Sequence, residues 1–195
     1  MKRHNIVHMA KRQATSRIIA GSYKGTKLSF KPNKNLRPTE SKTKETLFNW
    51  LLNDLHKKKC LDMFAGTGAL GLEALSRGAD EVLFFEKQKA LCGAIEVVVK
   101  KLGINNKCRV INANSTAFDF TTLNTKFDLI FLDPPFHESL IQKSLNIISE
   151  NQLLTEQGLV YIECERDLDL GSLKTNLTQL KLSKGGETKY CLYES

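Results

Sequence analysis

From residue 59 onward, short apolar runs alternate with segments of helical periodicity, and this alternation restricts the chain to very few folds. Residues 59–64, 81–86, 108–112, 127–133 and 158–164 read as strands, and residues 70–77, 88–102 and 138–150 between them read as helices. Strand–helix–strand units at this spacing build a mostly parallel sheet covered by helices on both faces. The end of the chain breaks the rhythm. Residues 177–182 and 188–193 flank Lys184-Gly185-Gly186, a hairpin signature, so the sheet is expected to finish with antiparallel strands. A chain of 195 residues accommodates one such α/β domain and a modest appendage.

The segment before residue 59 has a different character. Residues 1–16 are polar and basic and are expected to form a disordered tail. Two short β segments around Gly21 and Gly25 fit a small hairpin. Arg37-Pro38-Thr39 then opens a helix, with Pro38 suited to its start and Thr39 to its N-cap. Leu47, Phe48, Leu51, Leu52 and Leu55 give that helix an apolar face. The expected organisation is a tail over 1–16, a hairpin-and-helix extension over 17–55, and the α/β domain over 56–195.

Charge follows the same division. Residues 1–60 hold 15 Lys and Arg against 3 Asp and Glu, a net +12, whereas the remaining residues hold 14 against 18, a net −4. A basic end on a mildly acidic body suits a polyanion-binding arm; a solvated basic tail is the plainer alternative. No apolar run approaches the roughly 20 residues of a membrane span, and the basic start has no apolar stretch behind it, so neither a membrane protein nor a secretory signal is expected. The expected compartment is the cytoplasm. Five cysteines at wide spacing, with no CxxC, argue against a disulfide framework and against a metal site.

Three motifs carry chemistry. In Asp62-Met63-Phe64-Ala65-Gly66-Thr67-Gly68-Ala69-Leu70-Gly71 a strand ends, a glycine loop follows and a helix begins. Gly66 and Gly68 permit close backbone approach to a ligand, and the helix N-terminus offers free N–H groups. Glu86 closes the next strand, where a carboxylate can accept hydrogen bonds from both ribose hydroxyls of an adenosine. NAD and S-adenosylmethionine share that ribose, so Glu86 does not separate them. Asp133-Pro134-Pro135-Phe136 ends the most apolar strand. Two prolines remove two N–H donors and leave acceptors, the Asp133 carboxylate and the Pro134 carbonyl, while Phe136 adds a flat face. That set suits a planar amine on a stacked base.

These residues resemble the class I S-adenosylmethionine methyltransferases, and among them the amino-methylating group with an (Asp/Asn/Ser)-Pro-Pro-(Tyr/Phe/Trp) motif. With Arg17-Ile-Ile-Ala-Gly21, Lys24-Gly-Thr-Lys-Leu28, Arg37-Pro38-Thr39, Glu45-Thr-Leu-Phe-Asn-Trp-Leu51 and the run Cys60 to Arg77, the chain is similar to the RsmD family of bacterial 16S ribosomal RNA guanine-N2 methyltransferases from about residue 17 to Tyr193. The resemblance implies a Rossmann-like methyltransferase fold with a mostly parallel seven-stranded sheet, an antiparallel C-terminal hairpin and a small N-terminal β-hairpin and helix. It implies S-adenosylmethionine as cofactor, S-adenosylhomocysteine as product and no metal. Asp62 and the loop Phe64, Ala65, Gly66, Thr67 and Gly68 would hold its methionine part, Glu86 with Lys87 its ribose, and Asn114-Ser115 its adenine. Many relatives in the wider superfamily carry Asp where this chain has Asn114, which offers a neutral amide instead. Asp133, Pro134, Pro135 and Phe136 would receive the guanine amine. Arg17, Lys24, Lys27, Arg37, Thr39 and Lys42 would meet RNA.

The expected partner is ribosomal RNA, free or within a small ribosomal subunit or its assembly intermediate, bound by a monomer away from any membrane. Another RNA, DNA or amine remains the alternative substrate. An NAD-dependent oxidoreductase would account for Gly66, Gly68, Gly71 and Glu86, but gives no reason for Asp133 to Phe136. A non-catalytic RNA-binding protein would account for the basic arm, but not for the retained amine acceptors.

Overall fold

The structure is a computed structural model and describes residues 14–30, 41–51, 55–136 and 139–195. The described chain opens with an antiparallel pair, β1 (Ala14–Arg17) and β2 (Lys27–Phe30), followed by α1 (Ser41–Trp50). Then come β3 (Lys59–Asp62), α2 (Ala69–Ser76), β4 (Glu81–Phe85), α3 (Lys89–Leu102), β5 (Cys108–Ile111), β6 (Phe127–Leu132), α4 (Leu140–Glu150), β7 (Leu154–Glu165), β8 (Thr178–Gly185) and β9 (Thr188–Glu194). Strands β3 to β9 form one sheet in the order β5-β4-β3-β6-β7-β9-β8. The first five are parallel; β9 pairs antiparallel with β7 and with β8. This is the Rossmann-like methyltransferase architecture expected above, with its antiparallel close.

Side chains alternate across the sheet and so divide the core in two. Cys60, Phe84, Phe131 and Tyr161 pack with Ile18 and Leu28 of the hairpin and with Leu47, Phe48 and Leu72 of α1 and α2. Leu61, Phe85, Ile130 and Leu132 pack on the other face against Ile141, Leu145 and Ile148 of α4. Strand order reverses between β3 and β6, so their carboxyl ends open the crevice where α/β sheets bind ligands.

Several boundaries differ from those expected. Ala14 to Ser16 belong to β1 and not to a disordered tail; the alternation of buried Ser16, exposed Arg17 and buried Ile18 fixes them there. Gly21 and Gly25 sit in the turn between the strands, both at positive φ (79° and 85°), rather than within them. Strand β3 ends at Asp62, because Met63 and Phe64 already turn toward the glycine loop. Strand β7 starts earlier than expected, at Leu154, where a register shift against β6 accommodates a polar stretch. Arg37, Pro38 and Thr39 lie outside the described residues.

The hairpin is fastened to α2 by buried polar contacts. Ile19 and Ala20 N–H groups donate to the two oxygens of Glu73, at 2.8 and 3.1 Å. Arg77 Nε donates to the same carboxylate at 2.8 Å, and its guanidinium lies 4.9 Å from the Phe48 ring centre. Lys44 Nζ donates to the Arg17 carbonyl at 2.7 Å and stands 3.9 Å from Glu73. Lys44 and Glu73 are fully buried; burial pushes the Lys44 ammonium down from its ordinary value, and Glu73 opposes the shift. Ser22 N–H meets the Ser76 carbonyl at 2.7 Å. A Cβ at Gly21 would fall 1.8 Å from that same oxygen, so this turn requires glycine on space as well as on φ.

The five cysteines are free thiols, four of them buried in the core. Among the described residues, no helix is long and apolar enough to cross a membrane.

Candidate active site

Four carboxylates stand at the carboxyl ends of four neighbouring strands: Glu86 after β4, Asp62 on β3, Asp133 after β6 and Glu163 on β7. In-register parallel strands place Phe84, Asp62 and Phe131 in one row on one face, and Phe131 opposite Tyr161. The sites at positions 86, 133 and 163 are two residues further on, on that same face by the period-2 rule.

Asp62 is 1% exposed and its Oδ2 accepts the Gly71 N–H at 3.2 Å, tying β3 to the first turn of α2. Burial raises its carboxyl to about 7, with Asp133 and Glu86 adding repulsion and the Gly71 and Phe64 N–H groups opposing it. A carboxyl poised near neutrality in a pocket gains strongly from a cation. The glycine loop runs from there over β4: Ala65 N–H reaches the Phe85 carbonyl at 2.9 Å, and Gly68, at φ 77°, begins α2 without a side-chain cap. The first-turn N–H groups of α2 have no intrahelical acceptor, and that of Gly71 is taken by Asp62. Gly71 is the packing glycine of the set: a Cβ there would lie 2.3 Å from the Phe84 ring.

Glu86 is 7% exposed and organises the loop before any ligand arrives. Its Oε2 accepts from Gly66 N–H at 2.9 Å and its Oε1 from Gln88 N–H at 2.7 Å. Each oxygen keeps further acceptor capacity. Asn112, which the sequence reading missed, braces this corner by donating to the Glu86 and Lys87 carbonyls at 2.9 and 3.1 Å. The Lys87 side chain is exposed beside it.

Past β5, the Asn114 side-chain oxygen Oδ1 accepts from both the N–H and the Oγ1 hydroxyl of Thr116, at 3.1 and 3.0 Å, so it caps the short 3-10 turn Ser115–Ala117. Its two lone pairs are thereby used, and what it can offer a ligand is its amide donors. Ser115 is 2% exposed and its Oγ has no hydrogen-bond partner among the described residues. An orphaned buried hydroxyl is costly and favours a ligand or water that satisfies it.

On the other side of the switch point, Pro134 is buried, Asp133 and Phe136 are half-buried and Pro135 is exposed. A second feature escaped the sequence reading here. Tyr161 Oη donates to Glu163 Oε2 at 2.9 Å, with both side chains buried. Alternation along β7 marked these positions as sharing a face, but nothing in the sequence paired them.

Of the residues expected to meet RNA, Arg17 and Lys27 face each other across β1 and β2, both exposed. Lys24 is exposed at the tip of the turn, beside the C-terminal end of α2 and so about 12 Å, the length of eight helical residues, from the glycine loop. Lys42 is exposed on the first turn of α1. Arg37 and Thr39 fall outside the described residues. Among the described residues there is no cluster of metal-ligating side chains.

Residues 16–194 match the family described as conserved hypothetical protein 95. A ribosomal RNA small subunit methyltransferase D from Haemophilus influenzae is 41% identical over 181 residues, spanning 92% of this chain and 93% of its own. The enzyme of the same name from Escherichia coli K12 is 36% identical over 178 residues, spanning 91% and 89%. The chain belongs to the ribosomal RNA small subunit methyltransferase D family. A solved putative methyltransferase from Escherichia coli, 33% identical, superposes with a TM-score of 0.80 over 93% of this chain and 98% of that one. A Thermus thermophilus 16S rRNA N2 methyltransferase solved with AdoMet and guanosine shares the fold at 21% identity, with a TM-score of 0.68 over 94% of this chain and 50% of that one. Membership of the methyltransferase D family makes the chain a methyltransferase.

Proposed function

We propose that the protein transfers a methyl group from S-adenosylmethionine to the exocyclic N2 amine of a guanine in 16S ribosomal RNA, leaving S-adenosylhomocysteine. The observation that carries this reading is the acceptor set Asp133 to Phe136 at the end of β6, across the switch point from a loop suited to the cofactor. The cofactor side fits on three counts. Asp62 is a buried carboxyl that a cationic methionine group would relieve. Glu86 stands at the strand end with acceptor capacity toward a ribose. The Ser115 hydroxyl lacks a partner among the described residues and lies in the segment expected to meet adenine.

S-adenosylmethionine supplies an electrophilic methyl group carried on a sulfonium. The chain's task is placement. Asp133 and the Pro134 carbonyl accept the two amine hydrogens, which turns the nitrogen lone pair toward the donor, and Phe136 stacks on the base. A carboxylate beside the nitrogen also stabilises the positive charge that grows there as the N–C bond forms and the S–C bond breaks. The methylated nitrogen then sheds its proton to water. Because a paired amine is out of reach, the target guanine is read from a loop or flipped out of its helix. The substrate is ribosomal RNA, free or within a small subunit or its assembly intermediate, and the basic residues of the hairpin and α1 are its contacts.

Methyl transfer from labelled cofactor to free 16S RNA and to small subunits, followed by mapping of the modified base, tests the reading. N2-methylguanine at one position is the expected product; a methyl group on another atom or on no RNA overturns it.

Two further results are expected. Glu86→Ala should weaken S-adenosylmethionine binding by about 1.5–3 kcal/mol, the scale of lost bonds to a charged acceptor, since it removes the ribose acceptor and also releases Gly66 N–H and Gln88 N–H. An unchanged dissociation constant in calorimetry would assign the ribose elsewhere. RNA affinity should fall steeply with salt while cofactor affinity does not. Reversing Arg17 or Lys27 to Glu should reduce the log–log salt slope by roughly 0.7–0.9 for each phosphate left unneutralised. These side chains are exposed, and the Lys44 bond holds the Arg17 backbone carbonyl, so the hairpin stays docked. Deleting residues 1–31 is a poorer test, because it strips buried Ile18 and Leu28 from the core. A salt slope equal to the wild type's in both variants would reduce the arm to a solvated surface.

A further inference from the structure

The chemistry described so far leaves the buried Tyr161–Glu163 pair unused. Leu132, the last residue of β6, stands opposite Ile162 on β7, so Asp133 leaves the strand beside Glu163. Both lie on the acceptor side of the switch point, with β6 separating Glu163 from β3 and its glycine loop. Burial, then the charges of Glu163 and Asp133, push the Tyr161 hydroxyl well above its ordinary value. The Tyr161 hydroxyl fixes one oxygen of Glu163 as an acceptor. A carboxylate has about four acceptor positions.

The neighbours of an exocyclic amine differ among the bases. In adenine and cytosine the amine stands beside a ring nitrogen that accepts hydrogen bonds. In guanine it stands beside N1–H, a donor. A second carboxylate next to the amine acceptor therefore attracts guanine and repels the other two.

We propose that Glu163 is the residue that selects guanine: its carboxylate accepts the N1–H while Asp133 accepts from the adjacent N2 amine. The inference rests on the guanine-N2 reading given above. Tyr161 is a positioning residue in it, holding the Glu163 carboxylate in the plane of the base edge.

The test uses the RNA substrate carrying either guanine or 2-aminopurine at the mapped position. 2-Aminopurine keeps the N2 amine but presents an acceptor at N1. The wild type should methylate it with kcat/KM lower by about a hundredfold or more, as sites built to bind an N–H reject its absence. In Glu163→Gln, Tyr161 holds the amide oxygen and turns the NH2 toward the base, so the preference should reverse. Guanine RNA should lose at least about tenfold and 2-aminopurine RNA should gain, with cofactor affinity unchanged. The gain isolates N1, because 2-aminopurine lacks O6 for both enzymes alike. Tyr161→Phe keeps the carboxylate and should keep the guanine preference at reduced kcat. Equal use of both bases by the wild type overturns the proposal without any variant, and so does a folded Glu163→Gln that gains nothing on 2-aminopurine. If the wild type puts its methyl group on another atom, the guanine reading itself falls; if it methylates guanine N2 without regard to N1, only the role of Glu163 falls.

Discussion

Asp133→Ala should lower turnover by at least about 10²–10³-fold, the loss typical of removing one preorganised group from the place where transition-state charge develops. In the proposed reaction the carboxylate does two jobs: it orients the amine lone pair, and it offsets the charge appearing on nitrogen. Cofactor affinity should hold or rise slightly, and the reason is specific to this site. Asp133 is among the groups that push the Asp62 carboxyl up to about 7. Removing its charge favours ionised Asp62, the form that receives a cationic ligand. Rapid-quench turnover beside calorimetric titration separates the two effects. Near-normal turnover would remove Asp133 from the amine site, and a large loss of cofactor affinity would move it to the other half of the crevice.

The motifs along the sheet edge were legible in the sequence because each is local. A glycine loop between strand and helix, an acid at the next strand end and a rigid Asp-Pro-Pro-Phe turn are all contiguous, and their chemistry follows from residue type and position. Apolar runs located the central strands β3, β4, β6 and β7, since burial on both faces leaves little else for such runs to do; the exposed edge strand β8 was found by its glycine turn into β9. The interactions that escaped all need a partner distant in sequence. Glu73, with Arg77 four residues on, has the look of an exposed helical ion pair; only the fold reveals the hairpin N–H groups and Lys44 around it. Glu163 and Tyr161 alternate like any strand residues, and nothing marks them until Asp133 arrives from β6. Asn114 was singled out by its place after β5, but its commitment to Thr116 was not, a turn two residues long whose geometry propensity does not fix. Gly71 matched a nucleotide fingerprint, yet its constraint is the Phe84 ring.

Glu73→Ala should destabilise the protein by about 3–5 kcal/mol, the range for breaking a buried ion pair by removing one partner. Lys44 would stay in the apolar interior with its counter-charge gone, and the N–H groups of Ile19 and Ala20 would lose their acceptors. Chemical denaturation measures the loss, and amide exchange at Ile19 and Ala20 locates it, with protection falling at the hairpin before the sheet opens. The double variant Glu73→Leu with Lys44→Met discriminates charge from packing. Replacing both charges by apolar groups removes the unpaired ammonium, so it should recover part of the stability, but not the part owed to the two backbone N–H groups. RNA affinity should follow the hairpin and not the sheet: weakened in Glu73→Ala, partly restored in the double variant, with cofactor affinity level throughout. A single-variant cost below about 1 kcal/mol would mean that water reaches Lys44. RNA affinity that stayed level while hairpin protection vanished would take recognition away from β1 and β2 and leave it to α1 and the face around Phe136.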